Sequence, residues 1–190
     1  HDILHAAGGH DTIYGDDGND SIYGESGNDN LSGGTGNDYI EGRAGTDVIA
    51  GGLGDDSLTG GTGNDTYLFN RGDGNDTVAD NGRAADQMDI IRCGAGITTN
   101  DVAFYMEGNN LYLSQGAGDS IQVTDQTINT ARIERFELED GSFVSSADVN
   151  LIIQQIAAYQ QDTGASITNV NDVRNNQDLM TIVANNWHAA

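Results

Sequence analysis

An aspartate returns every ninth residue from Asp2 onward, at Asp11, Asp20, Asp29, Asp38, Asp47, Asp56 and Asp65. After a two-residue insertion (Phe69, Asn70) it comes back once more as Asp76. Written from residue 33, the unit reads Gly-Gly-Thr-Gly-Asn-Asp-Tyr-Ile-Glu, with the aspartate sixth. The eighth place is apolar or large in every copy: Leu4, Ile13, Ile22, Leu31, Ile40, Ile49, Leu58, Tyr67 and Val78. Glycine fills the fourth place from Gly9 to Gly74. Three positions held in register over so many units mark a solenoid.

The unit dictates its own geometry. Six places rich in Gly, Asn and Asp favour a turn, because Gly and Asn tolerate positive φ. The other three, such as Tyr39, Ile40 and Glu41, alternate outside, inside, outside, as a very short strand does. Two units then complete one coil, with strands stacked into two parallel sheets, turns along both edges and the eighth-place side chains between the sheets. One small apolar side chain per nine residues is a thin core. Its burial falls well short of the conformational entropy of ordering the unit, so the bare peptide is expected to stay unfolded.

Residues 18 apart stack one coil above another at roughly 4.7–4.9 Å. Asp2, Asp20, Asp38 and Asp56 therefore share one edge, and Asp11, Asp29, Asp47 and Asp65 the other. Unscreened carboxylates at that distance repel; a hard dication between each pair reverses the sign. Calcium takes six to eight oxygens in a forgiving geometry, which paired aspartates and the carbonyls of glycine turns supply. Magnesium demands a stricter octahedron, and zinc prefers His or Cys. The formal charge of −23 points the same way. It excludes nucleic acid and anionic membrane surfaces as partners. The seven basic residues are all arginine. Cys93 is alone, so no internal disulfide staples the fold. No apolar run is long enough to span a bilayer, so no membrane insertion by this fragment is expected.

Residues 2 to 79 resemble the Gly-Gly-x-Gly-x-Asp-x-(apolar)-x nonapeptide of the RTX (repeats-in-toxin) family. The resemblance implies a right-handed parallel β-roll (a β-solenoid) with each ion held between loops one coil apart, about six ions in all. Even-numbered carbonyls of one loop and odd-numbered carbonyls of the next would join two aspartates. A typical site would then use Gly34, Gly36 and Asp38 with Gly51, Leu53 and Asp56. Carried along the roll, the implied donors are the aspartates from Asp2 to Asp76 together with Gly15, Gly18, Gly24, Gly27, Gly33, Gly34, Gly36, Gly42, Gly45, Gly51, Gly52, Gly54, Gly60, Gly61 and Gly63. Four units depart from the pattern at the second place, with Ala7, Asp16, Glu25 and Arg43. The first two units, with Ala6-Ala7-Gly8-Gly9, are the most degenerate and are expected to bind weakly or fray.

Beyond the roll, residues 64–80 look like the passage into a flanking β domain. The Arg71-Gly72-Asp73 triplet is read as part of that junction rather than as an adhesion motif. Residues 80–145 are expected to form a β-strand cap. Val102–Met106 and Leu111–Leu113 make a hairpin, and Asp119–Thr124 and Ile133–Leu138 two further strands, with a turn at Glu139–Ser142. A solenoid's open end needs such a cover. Cys93 is expected to be a buried small apolar residue. Residues 146–190 read as helical. Ser145 with Asp148 forms a capping pair, Val149, Ile152, Ile153 and Ile156 follow at helical spacing, Gly164 stops the helix, and a second helix covers Asn176 to Asn185. By resemblance this region looks like the uncleaved signal that a type I secretion exporter recognises.

The sequence contains no His-Glu-x-x-His, no Gly-x-Ser-x-Gly and no lysine for a phosphate loop. The chain is expected not to be an enzyme by itself. It starts in mid-unit at His1, which is read as the C-terminal piece of a longer secreted or cell-surface protein. The expected function is a calcium-responsive folding and export module: extended where calcium is scarce, folded at the roughly 10⁻⁴–10⁻³ M calcium that extracellular sites need. The alternatives are an adhesion module for glycan or ice, or an accessory domain of a secreted hydrolase. The outward seventh and ninth places carry no uniform Thr or aromatic ladder, which disfavours adhesion.

Overall fold

A three-residue alternation fixes the architecture. In each unit the seventh and ninth side chains face out and the eighth faces in, and successive units face each other across the core. The computed structural model describes residues 1–82, 87–116, 118–126 and 133–190. The stretches of the expected cap at 83–86, 117 and 127–132 lie outside the described residues.

The repeats form β1 (Ile3–His5), β2 (Thr12–Tyr14), β3 (Ser21–Tyr23), β4 (Asn30–Thr35), β5 (Tyr39–Ala44), β6 (Val48–Leu53), β7 (Ser57–Thr62), β8 (Thr66–Phe69) and β9 (Asn75–Val78). Odd and even strands separate into two parallel stacks, β1-β3-β5-β7-β9 and β2-β4-β6-β8. The register is one coil per step, as in Ile22↔Ile40 and Leu31↔Ile49. Ile22, Leu31, Ile40, Ile49, Leu58, Tyr67 and Val78 are buried between the sheets. This is the β-roll that the period predicts. One detail differs: the strands were expected to be three residues long, yet β4 to β7 have six. The ladder continues through the glycine pair, with Gly34↔Gly52 and Arg43↔Gly61 in register, because these turn residues stack on their own copies one coil away.

The chain after the repeats extends both sheets rather than lying across them. β10 (Ile90–Cys93) pairs parallel with β8. β11 (Ala103–Glu107), β12 (Asn110–Gly116) and β13 (Asp119–Val123) form an antiparallel meander whose last strand pairs parallel with β9. β14 (Arg135–Leu138) joins β10 in parallel, and β15 (Phe143–Ser145) closes the edge antiparallel. Glu107 and Asn110 face each other across a two-residue loop whose Gly108 takes φ 60°, as a tight hairpin requires. The core thickens here: Phe104 and Phe136 meet edge to face at 5.4 Å. Cys93 is buried among them, and burial pushes its thiol up to about 12.

Three helices finish the chain. α1 (Ser146–Thr163) begins in the expected capping box: Asp148 N–H donates to Ser145 Oγ at 3.2 Å, and Ser145 N–H donates to Asp148 Oδ2 at 2.9 Å. It ends at Gly164, in the left-handed region with φ 71°. Val149, Ile152 and Ile156 face the core. α2 (Val170–Arg174) was not foreseen; it is a single short turn of helix whose Asn169 cap and two valines give little periodicity. α3 (Gln177–Asn185) falls where the spacing placed it and buries Leu179, Met180 and Val183. α1 packs on β11 and β15, and α2 on β11 and β12. Among the described residues no helix is long and apolar enough to cross a membrane.

Candidate metal centre

The sixth-place aspartates are tied together by one repeated bond. The backbone N–H of each donates to Oδ1 of the aspartate one coil further on. Along one edge Asp20 donates to Asp38 at 2.7 Å, Asp38 to Asp56 at 2.8 Å and Asp56 to Asp76 at 3.0 Å. Along the other, Asp11 donates to Asp29 at 2.8 Å, Asp29 to Asp47 at 2.8 Å and Asp47 to Asp65 at 2.9 Å. Asp2 starts the first series through Asp20. The bond fixes each side chain's rotamer and occupies one of its two oxygens.

The other oxygen is left without a partner. Oδ2 of Asp11, Asp20, Asp29, Asp38, Asp47, Asp56 and Asp65 is buried and makes no hydrogen bond. Leaving one such carboxylate oxygen unsatisfied is costly, and seven in register demand a ligand. Six of the seven, all but Asp11, whose first place is Ala6, point at the first-place glycine of their own loop. A Cβ on Gly24 would lie 2.8 Å from both Asp29 Oδ2 and the Gly42 carbonyl oxygen. One on Gly15 would lie 2.5 Å from the Gly33 carbonyl and 2.8 Å from Asp20 Oδ2. Gly33 and Gly42 repeat the arrangement with the Gly51 and Gly60 carbonyls, and at Gly51 and Gly60 the aspartate's Oδ2 again stands in the place of a side chain. These are clefts lined by oxygen and closed to any Cβ, which suits a hard cation at the distances calcium prefers. Among the described residues no group of three or more His, Cys, Asp or Glu side chains gathers round one point. The acidic groups meet in pairs, and the remaining oxygens come from the backbone.

Asp38 Oδ2 and the Gly51 carbonyl are thus brought together, and Asp56 reaches the same gap through the Asp38 N–H. The Gly34 and Gly36 carbonyls point up the stack at Gly52 and Gly54. The Leu53 carbonyl already accepts Gly36 N–H at 2.7 Å, so only its second lone pair is free. Gly18, Gly27, Gly36, Gly45, Gly54 and Gly63 sit at φ between 122° and 142°, turning each loop back on itself. At the second place Asp16, Glu25 and Arg43 keep positive φ (65°, 70° and 77°) where Gly34, Gly52 and Gly61 have it, so the carbonyl direction survives the substitution. The first coil is looser: Asp2 is exposed, Asp11, Leu4 and Ile13 are only half-buried, and Ile3 is 73% exposed.

Electrostatics grade along the roll. Burial, followed by the neighbouring carboxylates, raises Asp38 and Asp47, and pushes Asp56 up to about 6 and Asp65 and Asp76 up to about 7. The backbone N–H bond from the preceding aspartate opposes the rise without cancelling it. Both edges therefore hold carboxyl groups that have been taken out of water.

Two features were not legible in the repeat. Fifth-place side chains form a second ladder, as when Asp55 N–H donates to Asn37 Oδ1 at 3.2 Å. Asp73 and Asp89, outside the sixth-place series, are also buried. The only signal for Asp89 was Ile91, an inward apolar residue two places later. The Arg71-Gly72-Asp73 triplet is held down: Arg71 pairs with Asp101 at 3.0 Å, Gly72 N–H donates to Asp119 at 2.7 Å, and Asp73 is buried. On the outer face of the odd sheet, His5 stacks on Tyr23 at 4.5 Å and the Arg43 guanidinium lies 5.0 Å from the same ring. This is a local cluster and not a ladder.

Comparison with known proteins places this geometry. The RTX calcium-binding nonapeptide repeat (4 copies) matches residues 1–31, 32–67 and 41–78. Iron-regulated protein FrpA of Neisseria meningitidis serogroup C is 36% identical over 96 residues, which is 47% of this chain and 8% of that protein. The chain therefore spans a small part of this relative's length. The crystal structure of the extracellular lipase LipA from Serratia marcescens aligns with 64% of this chain and 37% of its own at 16% identity, with a TM-score of 0.32.

Proposed function

The amino-terminal 78 residues belong to the RTX calcium-binding nonapeptide repeats, and from that premise we propose that the chain is a calcium-folded module of a larger secreted protein. The observation that carries this is the row of buried, unpartnered Oδ2 atoms facing first-place glycines. Calcium, when bound, supplies the positive charge that the stacked carboxylates lack. Each pair of sixth-place aspartates, from Asp2 with Asp20 to Asp56 with Asp76 and from Asp11 with Asp29 to Asp47 with Asp65, then forms one site with the carbonyls of its two loops.

The residues divide the work. Oδ1 of each aspartate locks the register through the N–H of the preceding coil, and Oδ2 faces the ion. The first-place glycine leaves room for it, and the fourth-place glycine turns the loop. Without a cation these carboxylates repel, and the thin core does not hold the coils together. Each filled site adds stability in proportion to the logarithm of calcium concentration, because the unfolded chain offers no preformed site.

This couples folding to compartment. Inside a cell, where free calcium is low, the chain stays extended and fits a type I exporter. Outside, it folds. Residues 80–145 close the end of the roll, and residues 146–190 carry the export signal while their helices pack on the meander. Circular dichroism of the whole chain during a calcium titration tests the reading. A transition from disordered to β-rich signal near 10⁻⁴–10⁻³ M is expected; a chain that is already β-rich and protease-resistant in chelator overturns it.

A further inference from the structure

We propose that the row of calcium sites runs one step past the last repeat, and that Asp89 pairs with Asp65 to form a site shared between the roll and the strands that close it. The proposal rests on the repeats binding calcium and extends that reading to a residue outside the nine-residue period.

Gly82 and residues 87–91 carry the contacts of a repeat unit that the sequence conceals, because Asp89 follows Asp65 by 24 residues instead of 18. Several marks of a unit are present among the described residues. Gly82 stacks on the Gly61 carbonyl as Gly61 stacks on that of Arg43. Met88 N–H donates to Asn64 Oδ1 at 3.0 Å, as Asp55 N–H does to Asn37. Asp65 N–H donates to Asp89 Oδ1 at 2.8 Å, against 2.9 Å for the preceding step from Asp47 to Asp65. Ile90 N–H donates to the Asp65 carbonyl at 2.8 Å, the same bond that Thr66 makes to Asp47. Ile91 then fills the eighth place, fully buried.

The gap also shows the sign of a missing ligand. Asp65 is 0% exposed, and its Oδ2 has no hydrogen-bond partner while pointing at Gly60, as Asp47 Oδ2 points at Gly42. Asp89 is 2% exposed, so neither carboxylate has water to stabilise it. A divalent cation between them satisfies Asp65 Oδ2 and replaces the hydrogen bond that Asp89 otherwise shares with Asp80. Since β10, which Asp89 leads into, pairs with β8 on one side and β14 on the other, an ion here ties the closing strands to the roll.

The test counts bound calcium on the whole chain by native mass spectrometry, comparing wild type with Asp89→Asn and with Asp162→Asn, which removes the same charge from an exposed position on α1. Asp89→Asn is expected to bind one ion fewer and Asp162→Asn the wild-type number. Equal numbers for Asp89→Asn and wild type overturn the proposal while leaving the repeat sites standing. A wild-type chain that binds no calcium fails the reading beneath it instead. If Asp89→Asn does not fold in saturating calcium, anomalous diffraction from wild-type crystals grown with calcium decides. A peak between Asp65 and Asp89 is expected, and a row of peaks that ends between Asp47 and Asp65 overturns the proposal.

Discussion

Gly33 shows how a residue without a side chain defines a site. Its backbone is ordinary, so conformational freedom does not explain it. Its hydrogen is required because a Cβ would occupy the space of Asp38 Oδ2 and lie 2.5 Å from the Gly51 carbonyl. Gly33→Ala should therefore cost about 1–3 kcal/mol as overpacking and lower the calcium count, whereas the same change at exposed Thr35 should do neither. Calcium binding and urea unfolding of the two variants would check this. The aspartates add a pH dependence whose sign is set by burial. An unfolded carboxyl titrates near 4, whereas Asp56 in the fold sits at about 6 and Asp65 and Asp76 at about 7. Folded values above unfolded ones mean that the calcium-free fold keeps protons the unfolded chain has lost. Its stability is greatest below pH 4 and falls as pH rises toward 7. Calcium must displace those protons. In chelator, taking the pH from 7.5 to 5 should therefore shift the chain toward the fold and raise its β-sheet circular dichroism, whereas the calcium midpoint, set by the unfolded chain and the loaded fold in which these carboxyls are ionised, should move by less than about twofold. A calcium-free chain whose β-sheet content does not rise on acidification would refute the burial of these groups.

At the scale of elements, strands and helices obey different local rules, and this decided what could be foreseen. The roll was legible because one period fixes strand, turn, core and ligand together: Ile40 inside, Asp38 at the edge and Gly36 in the turn all follow from the same nine residues. α1 was legible because Ser145, Asp148 and Gly164 mark both its ends. Asp89 was not, because spatial stacking, and not sequence spacing, makes it a rung; the six extra residues before it erase the period while leaving the hydrogen bonds intact. β10, β13 and β14 were foreseen at most as cover, because parallel pairing with β8 and β9 is a long-range choice that a local pattern does not record. Ser145→Ala tests the local rule. It removes the hydroxyl that accepts Asp148 N–H, and should lower the unfolding free energy of the calcium-loaded chain by about 1 kcal/mol. The calcium count should not change, since α1 packs on β11, β15 and α3.

The whole molecule is a column whose two ends differ. At the start, β1 and β2 each have a single neighbour, and Ile3 and Tyr14 are exposed. At the other end, β10 and β13 extend the sheets over Tyr67, Phe69 and Val78, all at most 1% exposed. Cutting the chain after residue 79 would bare those three side chains and the edges of β8 and β9. Their burial is worth roughly 1.5–3 kcal/mol each. Calcium compensates at about 1.4 kcal/mol per site for each tenfold rise in concentration, and about seven sites fold together, so one decade of calcium offsets about 10 kcal/mol. The 1–79 fragment should thus still fold, with a midpoint roughly three- to eightfold higher than that of the full chain. Far-UV circular dichroism of both chains, titrated side by side, measures the shift. Identical midpoints would mean that the closing strands add nothing to the roll's stability and that the ions alone hold the column together. A fragment that stays disordered at any calcium concentration would mean the opposite, that the last coils cannot form until β10 and β13 are in place.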